Sequence, residues 1–200
     1  MRAFRRLTAT GAYLARADLD TDTIIRVERL ASHPRGELGR WAFEPLRYRA
    51  DGSENPDFVL NRAAHRGAAI LVAGANFGCG SSRETAVWAL EDHGLRAIVA
   101  PSFGPIFFEN CFQNGIPAIV LPADDVAALG AAIERDPPMT IDVEALTITA
   151  GGRTWRFALD PLRRRLLLEG RDEIELVLAD GDAIAAFEAR DRLARPWLYR

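Results

Sequence analysis

Three short apolar runs separated by two amphipathic segments constrain the fold of this chain more than any other feature. The runs at 68–73, 97–100 and 118–121 have the length and composition of buried strands. The segments at 81–93 and 103–113 have helical spacing, and a glycine follows each of them. Strands that alternate with helices in this order pair in parallel through right-handed crossovers. We therefore predict an α/β fold built on a parallel sheet.

The remainder of the chain adds other elements to this sheet. We predict a helix at 124–135, short antiparallel strands at 139–143, 146–149 and 154–157, and tail helices interrupted at Gly170 and Gly181. The first third is rich in loop signals. No linker is evident, so we expect a mixed sheet in a single domain over 1–200. Its core would span about 1–125, and a C-terminal strand and helix extension about 126–200.

Composition excludes several functions. The net charge of −3 gives no reason to expect a nucleic acid or an anionic membrane as partner. The sequence contains no lysine, which excludes a Schiff base and a phosphate-loop lysine. Cys79 and Cys111 are too few to hold an iron–sulfur cluster alone. Without a secretion signal or an apolar run of membrane length, we expect a cytoplasmic protein with reduced thiols.

The segment 74–84, Gly-Ala-Asn-Phe-Gly-Cys-Gly-Ser-Ser-Arg-Glu, lies between a predicted strand and a predicted helix. Its glycines allow sharp turns that expose backbone N–H groups, and a helix N-terminus favours anions. Arg83 adds a cation suited to carboxylates. A purely structural interpretation is also open, because Ser81 and Glu84 have the spacing of a helix capping box. The two interpretations are compatible.

Other motifs fit this segment less well. It lacks the third glycine of a dinucleotide fingerprint, and neither serine has the glycines of a hydrolase elbow. The histidines His33, His65 and His93 pair with no nucleophile, and we expect them at the surface or in loops. A non-catalytic module that binds an anion or a nucleotide remains an alternative.

Several segments, in order and over nearly the whole chain, resemble one known family. They are 20–25 (Asp-Thr-Asp-Thr-Ile-Ile), 55–61 (Asn-Pro-Asp-Phe-Val-Leu-Asn), 76–84 (Asn-Phe-Gly-Cys-Gly-Ser-Ser-Arg-Glu) and 100–103 (Ala-Pro-Ser-Phe). Similarity continues at 88–90, 106–107, 154–164 and 180–188. With these motifs the chain strongly resembles the small subunits of 3-isopropylmalate dehydratase, in the aconitase superfamily.

The resemblance implies a swivelling β/β/α three-layer domain with a mixed or parallel sheet, like the mobile last domain of aconitase. It implies a heteromeric hydro-lyase that isomerises 2-isopropylmalate and 3-isopropylmalate by dehydration and rehydration, in leucine biosynthesis. The partners would be a small hydroxy-dicarboxylate substrate and a large subunit. The large subunit would carry a [4Fe–4S] cluster that acts as a Lewis acid, and this chain would bind no metal or cofactor.

The resemblance also suggests roles for residues of the 74–84 segment. Ser81 matches the serine that acts as catalytic base in the superfamily, and Ser82 and Arg83 match residues that contact substrate carboxylates. A serine hydroxyl is a very weak base, so its alkoxide would need stabilisation by backbone N–H groups and by nearby arginine.

Three further residues are candidates for substrate binding through the same resemblance. Asp22 and Thr23 match the first active-site loop, where Asp22 would orient other groups. Arg35 lies in the loop 31–39, which we call the variable loop and which tunes substrate choice in this family. Each has a structural alternative: a turn or helix cap built from Asp and Thr, and a solvated loop arginine.

The chain departs from the family pattern at three positions. Thr85 replaces a histidine, Arg26 a proline and Gly36 a threonine. The changes at Thr85 and Gly36 alter the surroundings of the predicted site. A paralogous subunit for another hydroxy-diacid, of the citraconate/methylmalate or homoaconitase type, is therefore an alternative, as is a degenerate subunit that regulates or scaffolds its partner.

Overall fold

A computed structural model describes residues 2–199, which divide into two compact units, Met1–Gly170 and Arg171–Arg200. The first unit contains a seven-stranded sheet in the order β4-β3-β2-β1-β5-β6-β7. The strands are β1 Arg6–Leu14, β2 Ile70–Ala73, β3 Ala97–Ala100, β4 Ala118–Val120, β5 Pro138–Asp142, β6 Thr147–Ala150 and β7 Arg153–Arg156. The mixed sheet confirms the α/β prediction.

The sheet changes from parallel to antiparallel pairing at β1. On one side β1 pairs in parallel with β2, with Gly11 opposite Ile70, and β3 and β4 continue in parallel. On the other side β1 pairs antiparallel with β5, and β5, β6 and β7 form a meander. The meander turns at Gly151 and Gly152, as predicted, and both have positive φ.

β1 is the one strand to which the sequence analysis assigned no element. Its residues are mostly small or half-exposed and include a glycine, so they lack the apolar run that marked β2 and β3. Gly11 is required by packing, because a Cβ atom there would lie 2.6 Å from the sulfur of Met139. The strand therefore depends on its neighbours in the sheet rather than on local propensity.

The helices of the first unit lie between and after these strands. They are α1 Thr21–Ile24, α2 Val27–Leu30, α3 Glu44–Arg47, α4 Glu84–His93, α5 Pro105–Gln113, α6 Ala123–Arg135 and α7 Pro161–Glu169, with 3₁₀ turns at Gly39–Trp41 and Val59–Asn61. β2 and β3 are entirely buried in one apolar core. This burial explains why they read as continuous apolar runs.

The second unit consists of α8 Glu173–Ala179, α9 Gly181–Ala194 and a 3₁₀ turn at Pro196–Tyr199. Asp172 and Glu175 form a capping box at the start of α8. Gly170 ends α7 in a left-handed conformation, and the tail helices α8 and α9 are separated at Asp180, directly before Gly181, as expected. No helix within 2–199 is both long and apolar enough to cross a membrane.

Candidate active site

Three loops meet where the parallel strands β1, β2 and β3 end. They comprise residues 15–26, 74–83 and 101–104, and each follows the carboxyl end of its strand. Because neighbouring parallel strands end at the same edge of a sheet, their loops form a shared crevice, the usual place for a ligand in such folds. The two segments that the sequence analysis singled out, 20–25 and 74–84, therefore lie together.

Backbone hydrogen bonds join the first loop to the second. The pairs are Asp18 N to Ala75 O at 2.9 Å, Gly78 N to Leu19 O at 2.7 Å and Thr21 N to Cys79 O at 2.9 Å. These bonds continue the pairing of β1 with β2 beyond the regular sheet. The loops are therefore held in register by the same geometry that builds the strands.

The third loop and α5 pack against the second loop. Phe77 N donates to Ser102 O at 3.1 Å, and Gly104 N donates to Phe77 O at 2.9 Å. At Gly78 a Cβ atom would lie 2.2 Å from Cγ of Phe107, and φ is +72°. Glycine is thus required at this position by both contact and conformation.

Ser81 lies exposed beside this junction and lines a small cavity of about 120 Å³ with the start of α5. Its carbonyl oxygen accepts hydrogen bonds from Thr21 Oγ1 at 3.1 Å and from Arg83 N at 2.8 Å. Thr21, which was not a predicted site residue, therefore fixes the backbone that carries the Ser81 hydroxyl. It lies in the Asp-Thr-Asp-Thr motif, whose buried member could not be identified from the sequence.

The capping box predicted from Ser81 and Glu84 is absent. α4 begins at Glu84, its N-cap is Arg83 in an extended conformation, and no side chain caps the helix. The Ser81 carbonyl is engaged instead with Thr21 and Arg83. The first N–H groups of α4 therefore lack a side-chain acceptor, which leaves the helix start suited to an anion.

Arg83 and Asp22 form a two-point ion pair across the crevice. Arg83 donates to the two carboxylate oxygens of Asp22 at 2.5 and 3.2 Å, and to Ile25 O at 3.5 Å. A guanidinium has five N–H donors, so some remain for a ligand. The Arg83 side chain is 21% exposed and that of Asp22 60%. The structure thus brings together Ser81, Arg83 and Asp22, as the resemblance implied.

Thr23 has a structural part in the first loop. Asp20 caps α1 by accepting a hydrogen bond from Thr23 N at 2.7 Å. The hydrogen bonds from the Thr23 side chain and backbone lower the pKa of Asp20, so its carboxylate is stabilised in the charged form. Thr23 therefore takes part in a helix cap in which Asp20 is the capping residue, while Asp22 pairs with Arg83.

Arg35 is anchored on the far part of α4. It donates to Glu91 at 2.9 Å and to Asn114 Oδ1 at 3.0 Å, and its guanidinium carbon lies 4.9 Å from the ring centroid of Trp88. Glu91 lies seven residues after Glu84, about 10 Å along the helix. No hydrogen bond links Arg35 to 81–83 within the described chain.

Asn114 connects this anchor to the start of α4. Its oxygen accepts from Arg35 and from Trp88 Nε1 at 3.1 Å, and its Nδ2 donates to Glu84 at 3.0 Å and to Asn110 O at 2.9 Å. All of its amide groups are thus used. No sequence motif marked this residue, because its side-chain partners lie 26 to 79 residues away along the chain.

Two neighbours of Arg83 differ in their contacts. Ser82 is exposed, which leaves its hydroxyl accessible at the crevice. The hydroxyl of Thr85 is buried and has no hydrogen-bond partner among residues 2–199. The departure from the family pattern at Thr85 therefore places an unsatisfied polar atom one residue inside α4.

The thiols and carboxylates of this chain do not fit a metal or an iron–sulfur cluster. Burial raises the pKa of the half-buried Cys79 thiol, and the charges of Asp20 and Asp18 add to this effect. Burial raises the pKa of Cys111 further. Two cysteines are too few thiolates for this chain to hold an iron–sulfur cluster alone. Within 2–199, no three His, Cys, Asp or Glu residues are grouped to hold a metal ion.

The histidines take no part in the crevice. His65 lies in a loop, as one of the two expected locations, but it is buried there, with Nδ1 2.9 Å from Gly11 O. His93 ends α4 and lies 3.2 Å from Gly39 O. His33 contacts Arg29 O, and its ring centroid lies 5.3 Å from that of Trp41.

Family models match both ends of the chain. A model described as the aconitase C-terminal domain matches residues 1–124. A second, described as the C-terminal domain of the 3-isopropylmalate dehydratase small subunit, matches residues 174–200. The first match covers both loop segments, 20–25 and 74–84, and supports the swivel-type α/β fold.

Curated relatives named as 3-isopropylmalate dehydratase small subunits match the whole chain. One from Gluconacetobacter diazotrophicus is 48% identical, covering 100% of this chain and 98% of its own. One from Roseobacter denitrificans is 46% identical, covering 99% and 100%. A solved structure of 3-isopropylmalate dehydratase from Methanocaldococcus jannaschii is 25% identical and covers 92% of this chain and 99% of its own, with a TM-score of 0.65.

Proposed function

The chain belongs to the family of 3-isopropylmalate dehydratase small subunits, and on that premise we propose that Ser81, Ser82, Arg83 and Asp22 form its part of the active site. The family activity is that of a hydro-lyase of leucine biosynthesis. Identity near half over the full length favours isopropylmalate over the related hydroxy-diacids. The observation that carries the site assignment is the junction of Ser81 with the Arg83–Asp22 pair.

The rest of the site would come from a large subunit. In this proposal that subunit carries the [4Fe–4S] cluster, since the donor groups described in this chain do not suit one. The two chains would close over the substrate between them. We place the complex in the cytoplasm, where Cys79 and Cys111, which are not joined to each other, would remain reduced.

Ser81 is proposed as the group that removes and returns the proton. Its hydroxyl is accessible, and its backbone is fixed through the carbonyl by Thr21 and Arg83. An alkoxide there would lie next to the uncapped start of α4 and next to the Arg83 cation. Both favour negative charge and so lower the cost of the alkoxide.

Arg83 is proposed to bind a substrate carboxylate, with Ser82 as a second donor. Asp22 holds the guanidinium by two hydrogen bonds, which fixes its plane before the substrate arrives. Preorganisation of this kind lowers the cost of ordering the cation during binding.

Thr23 and Arg35 complete the proposed substrate site. Thr23 sits in the capped turn that presents Asp22, and Arg35 fixes the variable loop against α4. A direct contact of Arg35 with substrate would require its pair with Glu91 to open. Its proposed contribution is therefore to the shape of the pocket.

The test is Ser81→Ala in the reconstituted enzyme. We expect the chain alone to be inactive, and the anaerobic complex with its large subunit to hydrate the unsaturated diacid, measured as loss of ultraviolet absorbance. Ser81→Ala should lower kcat at least about a hundredfold, as for loss of a general base. The control is Ser53→Ala, which removes an exposed hydroxyl bonded to Asp51. A Ser81→Ala rate within a few-fold of wild type would show that another group is the base.

A further inference from the structure

A second cavity lies within the segment 26–52, and four of its ten lining residues are arginine. The groove, which we call the arginine groove, has a volume of about 570 Å³. The residues that give it its character are Arg26, Arg29, Arg40, Arg49, Trp41 and Glu44. Four cations and one carboxylate line it, although the whole chain has a net charge of −3. The groove is thus a local concentration of positive charge.

Arg29 and Glu44 neutralise each other. Arg29 Nε donates to Glu44 at 2.9 Å, and a second hydrogen bond joins the same two groups. The hydrogen bond from Arg29 lowers the pKa of Glu44 and raises that of Arg29, so both stay charged. The one carboxylate of the groove is therefore already taken.

The other three arginines lack such a partner. Arg40 and Arg49 form no ion pair with any residue of 2–199. The nearest approach of Arg26 is to Glu28 at 3.6 Å, between two exposed side chains, an arrangement that contributes little. Asp51, two residues after Arg49, accepts both its hydrogen bonds from Ser53, which lower its pKa, and the charge of Arg49 adds to this effect only through space.

Trp41 contacts two arginines of the groove, Arg29, which is paired with Glu44, and Arg40. The guanidinium carbon of Arg29 lies 3.6 Å from a ring centroid of Trp41, and that of Arg40 lies 4.6 Å from it. Contact with an aromatic face orients a guanidinium and leaves its N–H edge free for hydrogen bonds. Arg40 is therefore an oriented donor of the groove, whereas the N–H groups of Arg29 are directed to Glu44.

The size of the groove indicates the class of its ligand. Its volume lies within the range of about 300–1,000 Å³ typical of small-molecule sites. A single monovalent ion would leave most of it, and most of its charge, unmatched. We propose that the arginine groove binds a small polyanion with at least two carboxylate or phosphate groups, each paired with a guanidinium. This assignment is independent of the role of Ser81.

The test is calorimetric titration of the purified full chain with citrate and, separately, with pyrophosphate, at low ionic strength. Citrate probes a polycarboxylate ligand, and pyrophosphate probes a phosphate-bearing one. We expect a dissociation constant below about 1 mM for at least one of them. The double variant Arg40→Gln/Arg49→Gln should weaken that binding at least about tenfold, since each pairs one anionic group.

A double variant of equal charge change provides the control. Arg135→Gln/Arg156→Gln removes two exposed cations from α6 and β7, outside the groove, and should leave the affinity unchanged. The proposal is overturned if neither anion binds the wild-type chain. It is also overturned if both double variants weaken binding equally, because the anion would then respond to net charge alone. Thermal unfolding of each variant verifies that it is folded.

Discussion

His93 ends α4 in surroundings that keep its ring neutral. Burial lowers its pKa to about 4, and the positive charge of Arg47 adds to this effect. Arg47 Nη1 lies 3.2 Å from Nδ1 of His93 and donates to Gly39 O at the same distance. A protonated ring would place two cations together, so the fold selects the neutral form.

This selection predicts an acid-sensitive stability. The pKa of an unfolded histidine is about 6.5, so between that pH and about 4 the unfolded chain binds a proton that the folded chain does not. The free energy of unfolding should therefore fall as the pH drops through this window, by up to about 3 kcal/mol from this residue. Urea unfolding of wild type and His93→Gln at pH 7, 5.5 and 4.5 measures the effect. Parallel pH profiles for the two proteins would contradict it.

At the scale of single residues, the sequence identified the residues that line the crevice but not those that hold them in place by hydrogen bonds. Ser81, Arg83 and Asp22 lie in motifs that the resemblance made visible, and the structure places them together. Asn114 lies in no such motif, and its partners are separated from it by up to 79 residues. Hydrogen bonds between distant residues depend on the tertiary fold, so the sequence alone could not predict them.

At the scale of elements, α4 links the proposed site to the variable loop. Its first residue Glu84 and its later residue Glu91 are joined to that loop through Asn114 and Arg35. The start of α4 has no side-chain cap, and the Asn114 amide fixes it instead by a hydrogen bond to the Glu84 side chain. The variable loop and the Ser81 segment are mechanically connected through this one helix.

Asn114→Ala should loosen both ends of this connection. It removes hydrogen bonds to Arg35, Trp88 and Glu84 and leaves the part-buried groups of Trp88 and Glu84 without this partner, which costs about 1 kcal/mol. We expect urea unfolding to show a loss of this size, and hydrogen exchange in 31–38 to become faster. Gln113→Ala, one residue earlier and exposed, is the matched control and should show neither change. Unchanged exchange in Asn114→Ala would mean that Glu91 alone holds the loop.

Strands were predicted correctly where every residue is buried and apolar, and missed where buried and exposed residues are mixed. β3 was predicted with its observed bounds, because its residues are all buried and apolar. β1 was not predicted, because a central strand made of small and half-exposed residues has no strong local signature. α4 begins three residues later than predicted, because tertiary hydrogen bonds hold Ser81 outside the helix.

At the scale of the whole molecule, the apolar core lies entirely within the first unit. Every residue of the core cluster lies between Phe4 and Leu167. α7 is its last contributor, through Leu167, whose carbonyl oxygen accepts a hydrogen bond from Phe4 N at 2.7 Å; Leu166 is also buried. The second unit has its own local order, such as the contacts of Asp191 with Arg195 and Tyr199.

The position of the core predicts the result of truncation. A chain ending at Gly170 keeps every core residue and both strand systems, so it should unfold cooperatively within about 5 °C of the full chain. A chain ending at Leu159 lacks α7. Loss of two buried leucines costs about 2–5 kcal/mol each, which lowers Tm by about 10 °C or more. Thermal unfolding followed by near-ultraviolet circular dichroism compares the three chains. If the chain ending at Gly170 unfolded without cooperativity, the stability of the sheet would depend on residues beyond its own core.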